Sequence, residues 1–199
     1  MSQSDIDRWE ARYRAGSAAY AARPSPLVLD WLGRLPRGRA LDVACGLGAT
    51  AIALADAGFD VEAIDIAPTA LARAREAANR RGVTVDWRCA DLADWRLPEA
   101  RYDLIVNIHF VNRDLAAQFA DALKPGGWLL FEQHLRWPQP VARPGSPHFR
   151  LRPGELRHLL WQLDSVHYQE GLFPGAQVDS RFALARAVAR RLPAGSDVK

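Results

Sequence analysis

Residues Ala40 to Ala57 read ALDVACGLGATAIALADA. An apolar strand interrupted by one carboxylate, Asp42, runs into Cys-Gly-Leu-Gly and restarts as an alanine-rich helix. A strand that breaks at glycines and resumes as a helix aims backbone N–H groups at whatever lies above the turn. That is how phosphates and nucleotides are cradled. Three ligands fit the outline: a triphosphate, a dinucleotide, or a nucleoside carrying a transferable group.

A triphosphate loop requires Lys and Ser/Thr directly after its last glycine. Here Gly48 is followed by Ala49, Thr50 and Ala51, so that ligand is excluded. A dinucleotide stays in play. Gly46 to Ala51 fits Gly-x-Gly-x-x-Ala, and Asp65 stands close to the ~20 residues onward where a ribose partner belongs. Asp42 separates the two remaining ligands. A carboxylate inside an apolar strand needs a partner; the ammonium of an amino-acid moiety would supply one, whereas a pyrophosphate would be repelled. The competing account of Asp42 is a carboxylate satisfied by loop amides. Asp65 can accept ribose hydroxyls from either ligand. Asp91 could take an adenine amino group, with Leu92 adding backbone and apolar contact, or could merely cap its turn.

Outward from the turn, the pattern alternates. The stretch to about Leu35 is predicted helical and is broken at Arg-Pro-Ser-Pro (23–26), where two prolines interrupt it. The first strand is Ala40–Ala44, followed by a helix over 50–57 with Gly58 as its C-cap. The second strand is 60–66. The helix over 67–82 opens at a proline and closes at Gly82. A third strand with its exit loop spans 83–92, and a fourth strand, continuously apolar, spans 102–110. A helix over 113–127 ends at Pro-Gly-Gly, and the fifth strand is 128–134. Such alternation predicts a parallel sheet with helices on both faces. After a loop and helix over 151–163, strands at 164–171 and 180–191 lack an intervening helix and should pair antiparallel.

The ordered segments LDVACGLG, AIDIAPTAL, ADLADW, YDLIVNIHF and LKPGGWLLFEQH resemble the motif series of class I S-adenosylmethionine-dependent methyltransferases. The match covers about Arg37 to His134. It departs at the first motif glycine, where Ala44 stands, a substitution shared with the branch resembling tellurite-resistance and thiopurine-type small methyltransferases. RWEARYRAG, RPSP, SPHFRLRPGEL and ALARAVARR also resemble that branch. The resemblance implies an α/β fold: a doubly wound, seven-stranded, mostly parallel sheet of order 3-2-1-4-5-7-6 with strand 7 antiparallel. It implies S-adenosylmethionine as cofactor. Its contacts would be Asp42, Ala44, Cys45, Gly46, Gly48, Asp65, Ile66, Asp91, Leu92 and Asn107. One domain, 1–199, is expected. A helical lid segment (1–36) precedes a cofactor-binding core (37–134), and a substrate-side loop, helix and hairpin (135–199) follow.

The methyl group would face the carboxyl ends of strands four and five, where Asn107, His109, Phe110, Asn112, Arg113, Glu132, Gln133 and His134 lie. His109 and His134 are the candidate bases; a hydrogen-bonded structural role competes for His134. Tyr13, Tyr20, Phe110 and Arg113 are candidate acceptor contacts, although Trp9 and Tyr13, four apart, also suit a packing pair on one helix face. No Asn/Asp-Pro-Pro-aromatic motif follows strand four, and no cysteine is placed as a C5 nucleophile. Cys45 lies in the turn and Cys89 in a strand. A small-molecule acceptor is therefore expected, with a thiol or a tellurite- or selenite-type chalcogen as its soft form. An NADP-type oxidoreductase and a non-catalytic S-adenosylmethionine binder are the alternatives.

Composition agrees. With 49% hydrophobic and 25% charged residues the chain is ordinary for a globular domain, and its net charge is only +3. Nearly all its cations are arginines, interspersed with acids apart from Arg136, Arg143, Arg150, Arg152 and Arg157. This is no nucleic-acid-binding face. The five histidines and two cysteines lie scattered, without zinc-ligand spacing. No apolar run nears the ~20 residues that cross a bilayer, and the polar start is no signal peptide. A cytoplasmic protein without a disulfide framework is expected; the pattern sets no oligomeric state.

Overall fold

A computed structural model describes residues 3–15, 23–139, 141, 147–174 and 180–193. Helices α1 (Gln3–Arg14) and α2 (Pro26–Leu32) precede the sheet. Then come β1 (Arg39–Val43), α3 (Ala49–Asp56), β2 (Asp60–Asp65), α4 (Pro68–Arg81), β3 (Asp86–Cys89) and β4 (Tyr102–Ile108). The second half holds α5 (Arg113–Ala116), α6 (Phe119–Ala122), β5 (Leu123–His134), α7 (Glu155–Leu159), β6 (Asp164–Pro174) and β7 (Arg181–Arg190). The strands form one sheet of order β3-β2-β1-β4-β5-β7-β6. β7 runs antiparallel to both β5 and β6, and the other pairings are parallel. Strand order reverses between β1 and β4, the switch point outside which open α/β sheets bind their ligands.

Two apolar layers hold the sheet. On one face, Leu41, Ile105, Phe119, Phe131 and Leu156 pack together; on the other, Leu27, Val28, Leu54, Val106, Leu130 and Val188 do so. β1 and β4 are covered on both faces, which is why their sequences are nearly unbroken apolar runs. Asp42 and Asn107 are their buried polar residues, toward the carboxyl ends.

Three predicted boundaries are corrected. The third strand starts only at Asp86, because the N–H of Val83 bonds back to the Ala78 carbonyl and Gly82 adopts φ +75°. These residues close α4 and cannot also join a ladder. The helix over 113–127 is two short helices, and strand β5 begins at Leu123 and runs through Lys124–Gly127. Pro125 denies the helix an N–H and biases Lys124 toward extended backbone. The additional residues bulge between the Tyr102–Leu123 and Leu104–Trp128 pairs, stitched by Gly126 and Gly127 to Arg191. Finally, α7 occupies only Glu155–Leu159 of the predicted 151–163, since the chain then turns to bury Leu160 and Leu163 beneath the sheet.

Candidate functional site

The glycine turn sits at the switch point. Ala44 holds φ 53°, a left-handed conformation that side chains resist and glycine takes freely. It marks the position where the related motif carries glycine, so this chain accepts strain to keep the turn. Cys45 donates its N–H to the Ile64 carbonyl, and its own carbonyl receives Gly48 N–H, both at 2.9 Å. Burial, reinforced by the Asp42 and Asp65 charges, raises the Cys45 thiol well above its ordinary pKa. It stays protonated and is no nucleophile.

Asp65 closes β2 with its carboxylate directed across the turn, accepting from Gly46 N–H at 2.7 Å and Ala67 N–H at 2.9 Å. Burial lifts its pKa, and the amides of Ala67, Gly46 and Ile66 offset part of the rise. Asp42 lies beneath the same turn, 2% exposed. Burial pushes its pKa up to about 8, against a hydrogen bond from the Ala51 N–H and with help from the Asp65 charge. Its Oδ2 has no hydrogen-bond partner among the described residues. A buried carboxylate with one lone oxygen, next to a second carboxylate able to take hydroxyls, fits an ammonium-bearing nucleoside and not a pyrophosphate. Ile66 and Cys89 meet at the β2 exit, where the Cys89 thiol points at the Ile66 carbonyl. Asp91 accepts from the Ala93 N–H at 2.8 Å. The Leu92 side chain is in the core and its carbonyl is held by Asn112.

Helix α1 covers this turn. Tyr13 is buried against Ala67, Ala70 and Leu47, and its hydroxyl lies 2.7 Å from where a side chain on Gly46 would start. Trp9 stacks on Tyr13 with centroids 6.0 Å apart, and Arg73 donates to the Tyr13 carbonyl at 2.6 Å. Glu10 reaches the first turn of α4 and accepts from Thr69 N–H at 2.9 Å and Thr69 Oγ1 at 2.6 Å. Burial opposes the Glu10 charge, but the two Thr69 bonds and Arg14 outweigh it and hold the carboxyl below its ordinary range. Tyr20 lies outside the described residues.

A second group assembles over the ends of β4, β5 and β7. His109, just past β4, takes φ 60°, the other strained position beside the switch point. Its Nε2 lies 3.2 Å from Glu132 Oε1, and Arg186 Nε donates to Glu132 Oε2 at 2.6 Å. The His109 and His134 rings stack at 4.4 Å, with Phe182 5.7 Å beyond His134. Desolvation lowers the His109 pKa; Glu132 pulls it up and Arg186 pushes it down. A carboxylate beside Nε2 favours the tautomer protonated on that nitrogen, in which Nδ1 would be the basic atom. Asn107 is buried and donates to the Phe110 carbonyl at 2.9 Å, fixing the loop that carries His109. Arg113 lies apart, its guanidinium paired with Glu155 at the start of α7. The sequence pattern placed Glu132 at a strand end without its partners, and Arg186, Phe173 and Phe182 were missed. A lone arginine inside Ala-Leu-Ala-Arg-Ala-Val was the available signal, since a charge in a half-buried strand requires a counter-charge.

Residues 40–127 match the methyltransferase-domain family. Over 125 residues the chain is 33% identical to a ubiquinone biosynthesis O-methyltransferase of Bordetella avium, covering 58% of this chain and 52% of that protein. Over 142 residues it is 29% identical to probable thiol methyltransferase 2 of Arabidopsis thaliana, covering 65% of this chain and 62% of that protein. The chain spans about half the length of the curated relatives it matches. The crystal structure of TehB from Haemophilus influenzae shares its fold, with a TM-score of 0.73 at 21% identity over 84% of this chain and 62% of that one. No helix among the described residues is long and apolar enough to cross a membrane. Motif order, the domain match over residues 40–127 and the reversed last strand agree in making the chain similar to the class I S-adenosylmethionine-dependent methyltransferases.

Proposed function

We propose that this protein transfers a methyl group from S-adenosylmethionine to a small acceptor through a thiol or comparably soft chalcogen nucleophile. The observation that supports the reading is that two groups stand at neighbouring strand ends. Asp42 and Asp65 lie at the carboxyl ends of β1 and β2, and His109 with its Glu132–Arg186 support lies at those of β4 and β5. The cofactor supplies a methyl already activated on a sulfonium. What remains for the chain is to hold both partners in line, exclude water and keep a proton acceptor within reach. In this reading Asp65 takes the ribose hydroxyls and Asp42 the ammonium, while α1 screens the turn. His109 Nδ1 receives the acceptor's proton, and Glu132 keeps the ring in the required tautomer.

Soft nucleophiles need little help, because a thiol is partly ionised near neutrality and reactive in itself. His109→Ala should therefore reduce turnover by less than about 10²-fold, with much of the loss regained as pH approaches the thiol pKa of ~8.5. Steady-state rates from pH 5 to 9 with a thiol panel test this. A second reading, transfer to a hydroxyl, is favoured by the 3.2 Å approach of His109 Nε2 to Glu132. A loss of 10²–10⁴-fold that high pH does not repair would establish it in place of the thiol.

Asp42 offers a test of cofactor placement. A carboxyl with a folded pKa of about 8 is largely protonated at pH 7 when alone, and an arriving ammonium favours its ionised form. Binding of S-adenosylmethionine at pH 7 should therefore release protons, seen as a binding enthalpy that varies with the buffer's ionisation enthalpy. Asp42→Asn should abolish that release and weaken S-adenosylmethionine, yet leave 5′-methylthioadenosine, which lacks the amino-acid portion, nearly unchanged. Equal losses for both ligands would remove Asp42 from ammonium recognition. The raised pKa also carries a stability sign. The folded state holds this proton more tightly than the unfolded chain, so the Asp42 contribution to stability falls as pH rises from about 4 to about 8.

A further inference from the structure

A cavity of about 340 Å³ opens between α2 and the β6–β7 hairpin, on the sheet face that carries Glu132. Its size is at the lower end of the ~300–1,000 Å³ usual for small-molecule sites. Arg186 forms the wall it shares with the His109 group. The guanidinium is anchored through Nε to Glu132 Oε2 and lies face-on over Phe173, 3.9 Å from the ring centroid. Only 15% of the side chain is exposed. Neither terminal amino group hydrogen-bonds another described residue, and neither is sealed from solvent. Across the cavity stand Trp31, tilted against His167 at 6.2 Å, and Gln169, which pairs with Arg186 across the strands. The charges of Arg34 and Asp30, both on the α2 side, offset each other, and Arg34 lies over the Trp31 ring.

A planar guanidinium whose Nε is committed and whose two terminal amino groups are held still presents a fork matched to a planar oxyanion. Packing on Phe173 and the bond to Glu132 have already removed its rotamer freedom, so a ligand need not order it. Trp31 supplies an apolar wall on the far side of the cavity. We propose that the cavity is a subsite for a carboxylate with a flat apolar body, and that Arg186 selects acceptors bearing such a group. This rests on the methyl-transfer reading, because Arg186 and His109 flank the same Glu132 carboxylate. One acceptor could be held by the fork while presenting its nucleophile to the switch point.

The test uses the intact chain, titrated calorimetrically with benzoate and with benzamide, its neutral counterpart, with and without saturating S-adenosylhomocysteine. Benzoate should bind at least about tenfold more tightly. Arg186→Gln should erase the preference while S-adenosylhomocysteine affinity and the circular dichroism spectrum persist. Arg186→Lys keeps the charge beside Glu132 but not the fork, so it should lose most of the preference with the fold intact; it decides the matter if Arg186→Gln does not fold. Equal binding of the two probes by the unaltered protein overturns the subsite, as does a preference that survives either folded variant. Failure to bind S-adenosylhomocysteine would instead sink the methyl-transfer reading, leaving the probe comparison readable without it.

Discussion

Gly48→Val should destabilise the protein by about 2–6 kcal/mol, the sum of two separate costs. Gly48 sits at φ +75°, a conformation that a β-branched residue resists. A Cβ there would also stand 2.5 Å from Trp87 Cη2 and 2.8 Å from Ala74 Cβ. The indole can swing by some tenths of an ångström, but Ala74 is fixed in α4 and cannot. The turn, α3 and α4 would have to part. For a chain of this size each kcal/mol is worth about 2–4 °C in Tm, so calorimetry should show a fall of about 5–20 °C. A change below about 3 °C would mean that the turn is not wedged as described. Gly46 makes the contrast. A Cβ there meets only the Tyr13 side chain of α1, so Gly46→Ala disturbs the cover more than the core.

Asp65→Asn should weaken S-adenosylhomocysteine by about ten- to a hundredfold. A carboxylate accepting ribose hydroxyls makes charge-assisted hydrogen bonds worth roughly 1.5–3 kcal/mol each. The amide keeps the shape and loses the charge, and it turns one acceptor atom into a donor facing the Gly46 or Ala67 N–H. Because the ribose is common to all ligands of the cleft, 5′-methylthioadenosine should suffer equally. That separates Asp65 from Asp42, whose replacement is expected to spare it. Since burial raises the Asp65 pKa, affinity in the unaltered protein should fade as pH drops through a range above that of an ordinary aspartate. A dissociation constant unmoved by Asp65→Asn would take the residue out of the ribose site.

The sheet was legible because its signals are local and repeated. Apolar strands alternate with capped helices, and the lack of a helix between the final two strands gave the antiparallel hairpin. Boundaries failed where one residue served two neighbours. Val83 is spent closing α4, and Lys124–Gly127 continue β5 where a Pro-Gly-Gly stop was expected. The placement of Asp42, Gly46 and Asp65 around one turn was readable because a charge in a core strand and a glycine at a turn have few explanations. The pairing of Arg113 with Glu155 was not readable, since the two are distant in sequence. Arg186 was hidden for the same reason: what gives it meaning is a register, Glu132 opposite Arg186, fixed only when β5 meets β7.

Helix α4 begins with Ala67 and Pro68, and its N-cap side chain makes no capping bond. What closes its first turn is Glu10, borrowed from α1. The cover and the helix end therefore share one latch. For a ligand to reach Gly46, Tyr13 must lift; if Glu10 leaves with it, α4 loses a cap worth about 0.5–2 kcal/mol. A ligand whose entry breaks that bond would then meet a handicap of about two- to thirtyfold in apparent affinity. Because Thr69 and Arg14 hold the Glu10 carboxyl below its ordinary pKa, the latch stays fastened through mild acid. Affinity for the cleft is thus partly written in a segment that need not touch the ligand at all.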